Sequence, residues 1–190
     1  MATGTKNATN VSVGKPMATG GVYAAPIGTN VPTDATTALD AAFVNLGYIS
    51  EDGITNAIEA DSEDIKAWGG DTVLTVATSR TETFAFTMLE SLNENALKQA
   101  YGADNVTAGA VTHNGAARGR WVYVFEILLT GNKVKRIVAP IGEVTELGEV
   151  VYVDGEPIGY EVTVPTYPDD SGNTVYEYVA AIAGTTSGGE

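Results

Sequence analysis

The chain has 190 residues, 44% apolar and only 18% charged, enough to bury the core of one domain. Its formal net charge of −14 would repel phosphate, so tight nucleic-acid binding through a basic footprint is excluded. The absence of cysteine excludes disulfides, thiolate metal sites and cysteine nucleophiles, and no apolar run reaches the ~18 residues of a membrane-spanning helix.

Residues 1–21 are Gly, Thr, Ala and Asn with almost no large apolar side chain, so they read as an arm that cannot fold alone, loose or docked on a neighbour. The opening MATGTKNATN lacks the charged-then-apolar pattern of a signal peptide. Residues 22–27 read as an edge strand, because Pro26 has no amide to give a second neighbour. Leu39, Ala42, Phe43 and Leu46 fall at i, i+3, i+4 and i+7, which predicts a short helix near 36–43. A short strand over 53–58 follows, and then the acidic stretch EADSEDIKAWGGD over 59–71. That stretch reads as an exposed connecting loop. Its Trp68 would anchor on the protein's own sheet or on a neighbour, and Gly69-Gly70 would turn the backbone into the next strand.

Residues 71–78 and 81–89 read as two strands around a Ser79-Arg80 hairpin, with Phe84, Phe86 and Met88 on the core side by alternation. Ser91-Leu92-Asn93-Glu94 fits a capping box that opens a helix over 91–101, ended by Gly102. Its apolar stripe is Leu89, Leu92, Ala96, Leu97, Ala100 and Tyr101, and Glu94 pairs with Lys98. Residues 121–130 form a long central strand, Gly131-Asn132 marks a tight hairpin, and 133–144 return. Residues 149–153 and 157–165 flank a second hairpin signal at Asp154-Gly155, and 174–182 close the set. The frayed tail is 184–190. The fold class is mainly β: one antiparallel β-sandwich or barrel-like domain over 22–183, with a flanking helix and the short second helix.

Catalytic and metal chemistry find little support. His113, the only histidine, lies in a turn-like Thr-His-Asn-Gly stretch with no nucleophile elbow in the chain. The acids Asp61, Glu63 and Asp64 lack the offsets of a calcium loop, and one histidine without cysteine does not make a zinc site. A carboxylate pair could serve a β-sandwich glycosidase, but among 24 acids some pair always looks suitable. No phosphate-binding or dinucleotide fingerprint is present. No enzyme, metal or cofactor is therefore expected.

Charge is segregated along the chain. Residues 34–64 carry eight acids and no base, and 143–190 carry ten acids and no base. Residues 118–136 carry five bases (Arg118, Arg120, Lys133, Lys135 and Arg136) against Glu126 alone. Such a pattern suits docking of one copy on another, with charge setting orientation.

Several pieces in order resemble a known family. They are VYAAPIG at 22–28, LGYISEDG at 46–53, IKAWGG at 65–70 and the strand-to-helix stretch at 84–97, within a run from Gly20 to Gly102. This run is similar to the major tail protein, or tail tube protein, of long-tailed bacteriophages with non-contractile tails. The resemblance implies a β-sandwich with a flanking helix, six-fold rings stacked into a tube, and genomic DNA passing through the lumen without specific binding. It implies no catalytic residue. It implies the tape measure protein and the tail-tip and tail-terminator proteins as partners, and assembly in the host cytoplasm into the virion tail. With the chain ending at Glu190, no extra immunoglobulin-like domain is expected. The assembly-interface candidates are Asp61, Glu63, Asp64, Trp68, Gly69, Gly70 and the five bases of 118–136. A rival reading is a virion-surface β-sandwich that adheres to glycans.

Overall fold

The computed structural model describes residues 6–18 and 20–182. In chain order the strands are β1 (Gly14–Pro16), β2 (Val22–Pro26), β3 (Val44–Asn45), β4 (Ile49–Lys66), β5 (Thr72–Met88), β6 (Val106–Thr107), β7 (Ala110–Val111), β8 (Arg120–Leu129), β9 (Lys133–Glu143), β10 (Glu146–Leu147), β11 (Tyr160–Thr166) and β12 (Tyr176–Ala181). One helix, α1 (Glu94–Tyr101), lies between β5 and β6. Apart from the small β6–β7 hairpin, all strands join one antiparallel sheet with the path β3-β2-β8-β9-β11-β5-β4, which is not closed into a barrel.

The sheet folds over on itself into two leaves. One is β3-β2-β8-β9 with β1 and β12 added, and the other is β11-β5-β4 with β10. Among the described residues the only ladder pair joining them is Thr166 with Gly142, reinforced by the Tyr167 amide donating to Ile141 O at 2.9 Å. Gly142 is needed there for closeness: a Cβ would stand 2.9 Å from both Tyr123 Cδ2 and Val164 Cγ1. Across the leaves the Phe84 ring stacks on Phe125 with centroids 4.5 Å apart, and Phe86 meets Phe125 edge-on at 5.9 Å. Full burial of each such ring contributes ~1.5–3 kcal/mol, so these three side chains anchor the sandwich.

α1 covers one end of this core with Ala96 and Ala100, and its buried Gln99 accepts a hydrogen bond from the Tyr123 hydroxyl. Burial pushes the Tyr123 phenol far above its ordinary range, so it stays a neutral donor. The helix begins later than the capping box predicts. Asn93 is the N-cap, accepting from the Asn95 amide at 3.0 Å, and Leu92 sits before the first turn, almost fully exposed. Glu94 and Lys98 do pair, at 3.9 Å, and Gly102 caps the far end with φ +94°.

Several other expectations are corrected. No helix forms over 36–43, and only turns occur there. Asp34 accepts from the amides of Thr36 and Thr37, and the Arg136 guanidinium takes the carbonyls of Asp34 and Thr37 at 2.9 and 2.8 Å. Those local and long-range bonds compete with the helical ladder. The Thr37 hydroxyl and amide and the Thr36 amide hold the Asp34 carboxyl well below the usual carboxylate range. Ser79-Arg80 is not a turn, because β5 runs straight through it. Asp154-Gly155 does turn, but residues 149–153 form no strand, because Glu146 and Leu147 instead pair with Thr163 and Val162. Part of the expected N-terminal arm, β1, lies on the chain's own β8. β2 is a near-edge strand: β3 pairs only its Tyr23 and Ala24, which leaves Pro26 without a second neighbour. The Gly131-Asn132 hairpin forms as read, joining β8 to β9 with Asn132 at φ +56°.

Candidate assembly surface

The acidic stretch is not a loop but half of a projecting β-hairpin. β4 continues unbroken to Lys66, the chain turns over Ala67 to Asp71, and β5 returns. The turn is closed by the Ala67 amide to Asp71 O at 2.8 Å and the Gly70 amide to Ala67 O at 3.0 Å. Gly69 and Gly70 have φ +121° and +99°, which side-chain-bearing residues rarely adopt. Acidity suggested a loop, but the acids alternate with Ala, Ser and Ile, and that alternation suits a strand with two exposed faces.

β11 supports β5 only from Met88 to Glu82. Beyond that point β4 is the sole partner of β5 among the described residues, and every residue from 55 to 81 is exposed. At ~3.3 Å per residue the unsupported part of β5 projects roughly 30 Å. A two-stranded hairpin with no third layer is marginal in water at best. This one also exposes Ile65, Val73, Leu74 and Val76 near its end, and Trp68 is fully exposed at the tip. Trp68 therefore does not anchor on the chain's own sheet. Exposed apolar groups clustered on a projecting element mark a surface that is covered in use.

Residues paired across an antiparallel ladder share a face. Glu59, Asp61 and Glu63 alternate on one face of the arm with Ile65, opposite Thr81, Ser79, Val76 and Leu74. Asp64 lies on the other face, opposite Thr75, whose hydroxyl it accepts at 2.7 Å, and Asp61 accepts from the Ser79 hydroxyl at 2.9 Å.

Where the arm leaves the sandwich, a polar knot fixes its root. The Glu82 carboxylate is buried and accepts from Asn56 Nδ2 at 3.2 Å, Arg80 Nη2 at 3.0 Å and the Thr174 hydroxyl at 2.7 Å. Burial pushes its pKa up, but the bonds from Thr174, Asn56 and Arg80 outweigh that and hold it below its ordinary value. The knot ties β4, β5 and the connection before β12 together.

A family model described as phage tail tube protein matches residues 5–185. The chain belongs to the phage tail tube protein family. It is thus a structural protein of a phage tail, made to assemble with other tail components. Eleven chains of solved structures match this tail tube protein. One, described as the cryo-EM structure of the anti-feeding prophage cap (AFP tube terminating cap), is 13% identical, with 90% of this chain and 96% of that chain covered at a TM-score of 0.44. No curated protein matches.

In this tail tube protein the basic segment is not one patch. Arg136 is buried and donates from Nε to Glu126 at 2.9 Å as well as to the two carbonyls at 34 and 37. Arg118 caps the helix from outside, donating from Nε to Ala100 O at 2.6 Å. Arg120 lies 3.7 Å from Glu143, with its guanidinium over the Tyr167 ring at 4.6 Å. Lys135 pairs with Glu177 at 2.8 Å, and Lys133 stands exposed at the β8–β9 turn and makes no ion pair among the described residues. Four of the five bases thus already have partners within the subunit. Sequence reading missed Glu82, the root of the arm, because its three partners lie 2, 26 and 92 residues away.

His113 stacks on Tyr101 with centroids 4.4 Å apart. Among the described residues no group of three or more His, Asp or Glu is arranged to hold a metal ion, and no helix is long and apolar enough to cross a membrane.

Proposed function

We propose that this protein polymerises, as hexameric rings stacked into a tube, to form the tail conduit through which genomic DNA leaves the virion, and that it has no catalytic role. The observation that carries this reading is the unsupported arm. A run of exposed residues from 55 to 81 with an apolar tip gains stability only by lying on another molecule, and a tube offers that molecule in every subunit. A contact between an arm and a different surface of the next copy is head-to-tail, and repeated head-to-tail contacts close into rings or continue as filaments. The net charge of −14 suits a lumen that must let phosphate slide rather than grip it.

Electron microscopy of virions or of the purified protein tests the reading. Six-fold rings or tubes containing this chain are the expected result. Absence of the chain from purified virions overturns the proposal. A subunit in which residues 61–79 are replaced by a short glycine turn keeps Arg80 on Glu82 and should stay folded and fail to polymerise.

A further inference from the structure

The arm needs an acceptor, and one stretch of the sandwich has the matching chemistry. The inner face of the β8–β9–β12 leaf continues past the core. From Phe125 and Ile137 it runs on through Ile127, Leu129, Lys133, Lys135, Val179 and Ala181, which the ladder pairs place on one face: Ile127 with Lys135, Leu129 with Lys133, Val179 with Lys135 and Ala181 with Lys133. Lys133, Val179 and Ala181 are exposed there, and Ile127, Leu129 and Lys135 are half-buried. This face thus presents two cations among aliphatic side chains. The arm face described above presents the complement, Glu59, Asp61 and Glu63 followed by Ile65, Leu74 and Val76.

We propose that the acidic face of the arm docks on this strip of a second copy of the same chain, with its carboxylates meeting Lys133 and Lys135 and its apolar side chains covering the aliphatic residues of β8 and β12 that flank them. The inference rests on the reading of the arm as the joining element and adds the surface that receives it. Charge orients the approach, because a reversed arm would set Ile65, Leu74 and Val76 against the lysines. Aliphatic burial then supplies the affinity. The contact weakens with salt, since its charges lie near the surface. Glu177, which already pairs with Lys135 at 2.8 Å, sits at the border of the strip and leaves Lys133 as the stronger anchor.

Charge exchange tests this. Lys133→Glu alone, and Lys133→Glu with Lys135→Glu, should raise the critical concentration for polymerisation about tenfold or more at low salt, the scale of one to two interfacial charge contacts. Glu59→Lys, Asp61→Lys and Glu63→Lys together should do the same. Combining both sets should restore polymerisation, which a general loss of stability would not. Circular dichroism melts confirm that each subunit is folded, and the exposed Lys133→Glu variant stands if the double reversal unfolds. The chain has no cysteine, so Glu63→Cys mixed with Lys133→Cys should give a disulfide-linked dimer on oxidation in higher yield than either variant oxidised alone. Impaired polymerisation that the combined variant fails to rescue, with no crosslink, overturns the acceptor while leaving the arm's role intact. Polymerisation by the arm-less subunit overturns the arm's role itself.

Discussion

Replacing Arg136 by methionine separates two roles that its charge alone allows. A surface arginine waiting for a neighbour could be removed with little effect on the subunit. In the structure Arg136 is only 4% exposed, Glu126 is 7% exposed, and the guanidinium also serves the carbonyls of Asp34 and Thr37. Methionine has similar length and no donors, so Glu126 is left as an uncompensated buried carboxylate. Breaking a buried pair in this way costs ~3–5 kcal/mol. Asp34 is half-buried and Thr37 exposed, so water can reach the freed carbonyls, and their loss adds little to that cost. Against a domain stability of about 5–15 kcal/mol this is a large fraction, and it corresponds to a fall in Tm of roughly 10 °C for a chain of this size. Urea and thermal unfolding by circular dichroism at neutral pH, at concentrations below polymerisation, read it directly. Glu126→Leu combined with Arg136→Met removes both charges and should recover a large part of the loss. Hydrogen exchange should show residues 34–39 released in the single variant. A single variant that loses less than about 1 kcal/mol, the range of a surface pair, or a double variant no more stable than the single one, refutes the buried clasp.

Gly142→Ala should destabilise the subunit by about 1–3 kcal/mol, the usual cost of overpacking, because the new methyl enters the contact between Tyr123 and Val164 at the corner joining the leaves; an unchanged melting temperature would show that the corner can relax. Glu82 gives a pH signature. Its carboxyl is held below its ordinary value near 4.5, so its contribution is full above that value and is lost as pH falls through the depressed folded value. Glu82→Gln should therefore lower stability at pH 7 and flatten the acid side of the stability profile, and hydrogen exchange over 55–81 should rise. An acid limb of unchanged slope would remove Glu82 as its source.

Strand regions were legible where alternation and turn residues agreed. Phe84, Phe86 and Met88 fall on the core face as their spacing predicts, and Gly131-Asn132 turns where its backbone preferences say it should. The acidic stretch was misread because a row of carboxylates looks the same in a solvated loop and on an exposed strand. Only its partner strand, β5, distinguishes the two. The stripe over 39–46 matched a helical period, yet of its four residues only Leu46 is buried. Bonds from Arg136, some 100 residues away, to the carbonyls of Asp34 and Thr37 fix the chain just before it.

By itself the sequence determined the β class, the one sizeable helix, the major hairpin turn and the separation of charge along the chain. These follow from period, backbone preference and composition, which are properties of neighbouring residues. The tertiary structure alone decided that the acids ride on a projecting arm and that Arg118 and Arg136 hold the subunit together, leaving Lys133 without an ion pair among the described residues. Those outcomes depend on which strand pairs with which and on what burial leaves exposed. Both are set by contacts between residues far apart in the chain, and a charged side chain carries no local mark of whether its partner lies within the subunit or on the next one.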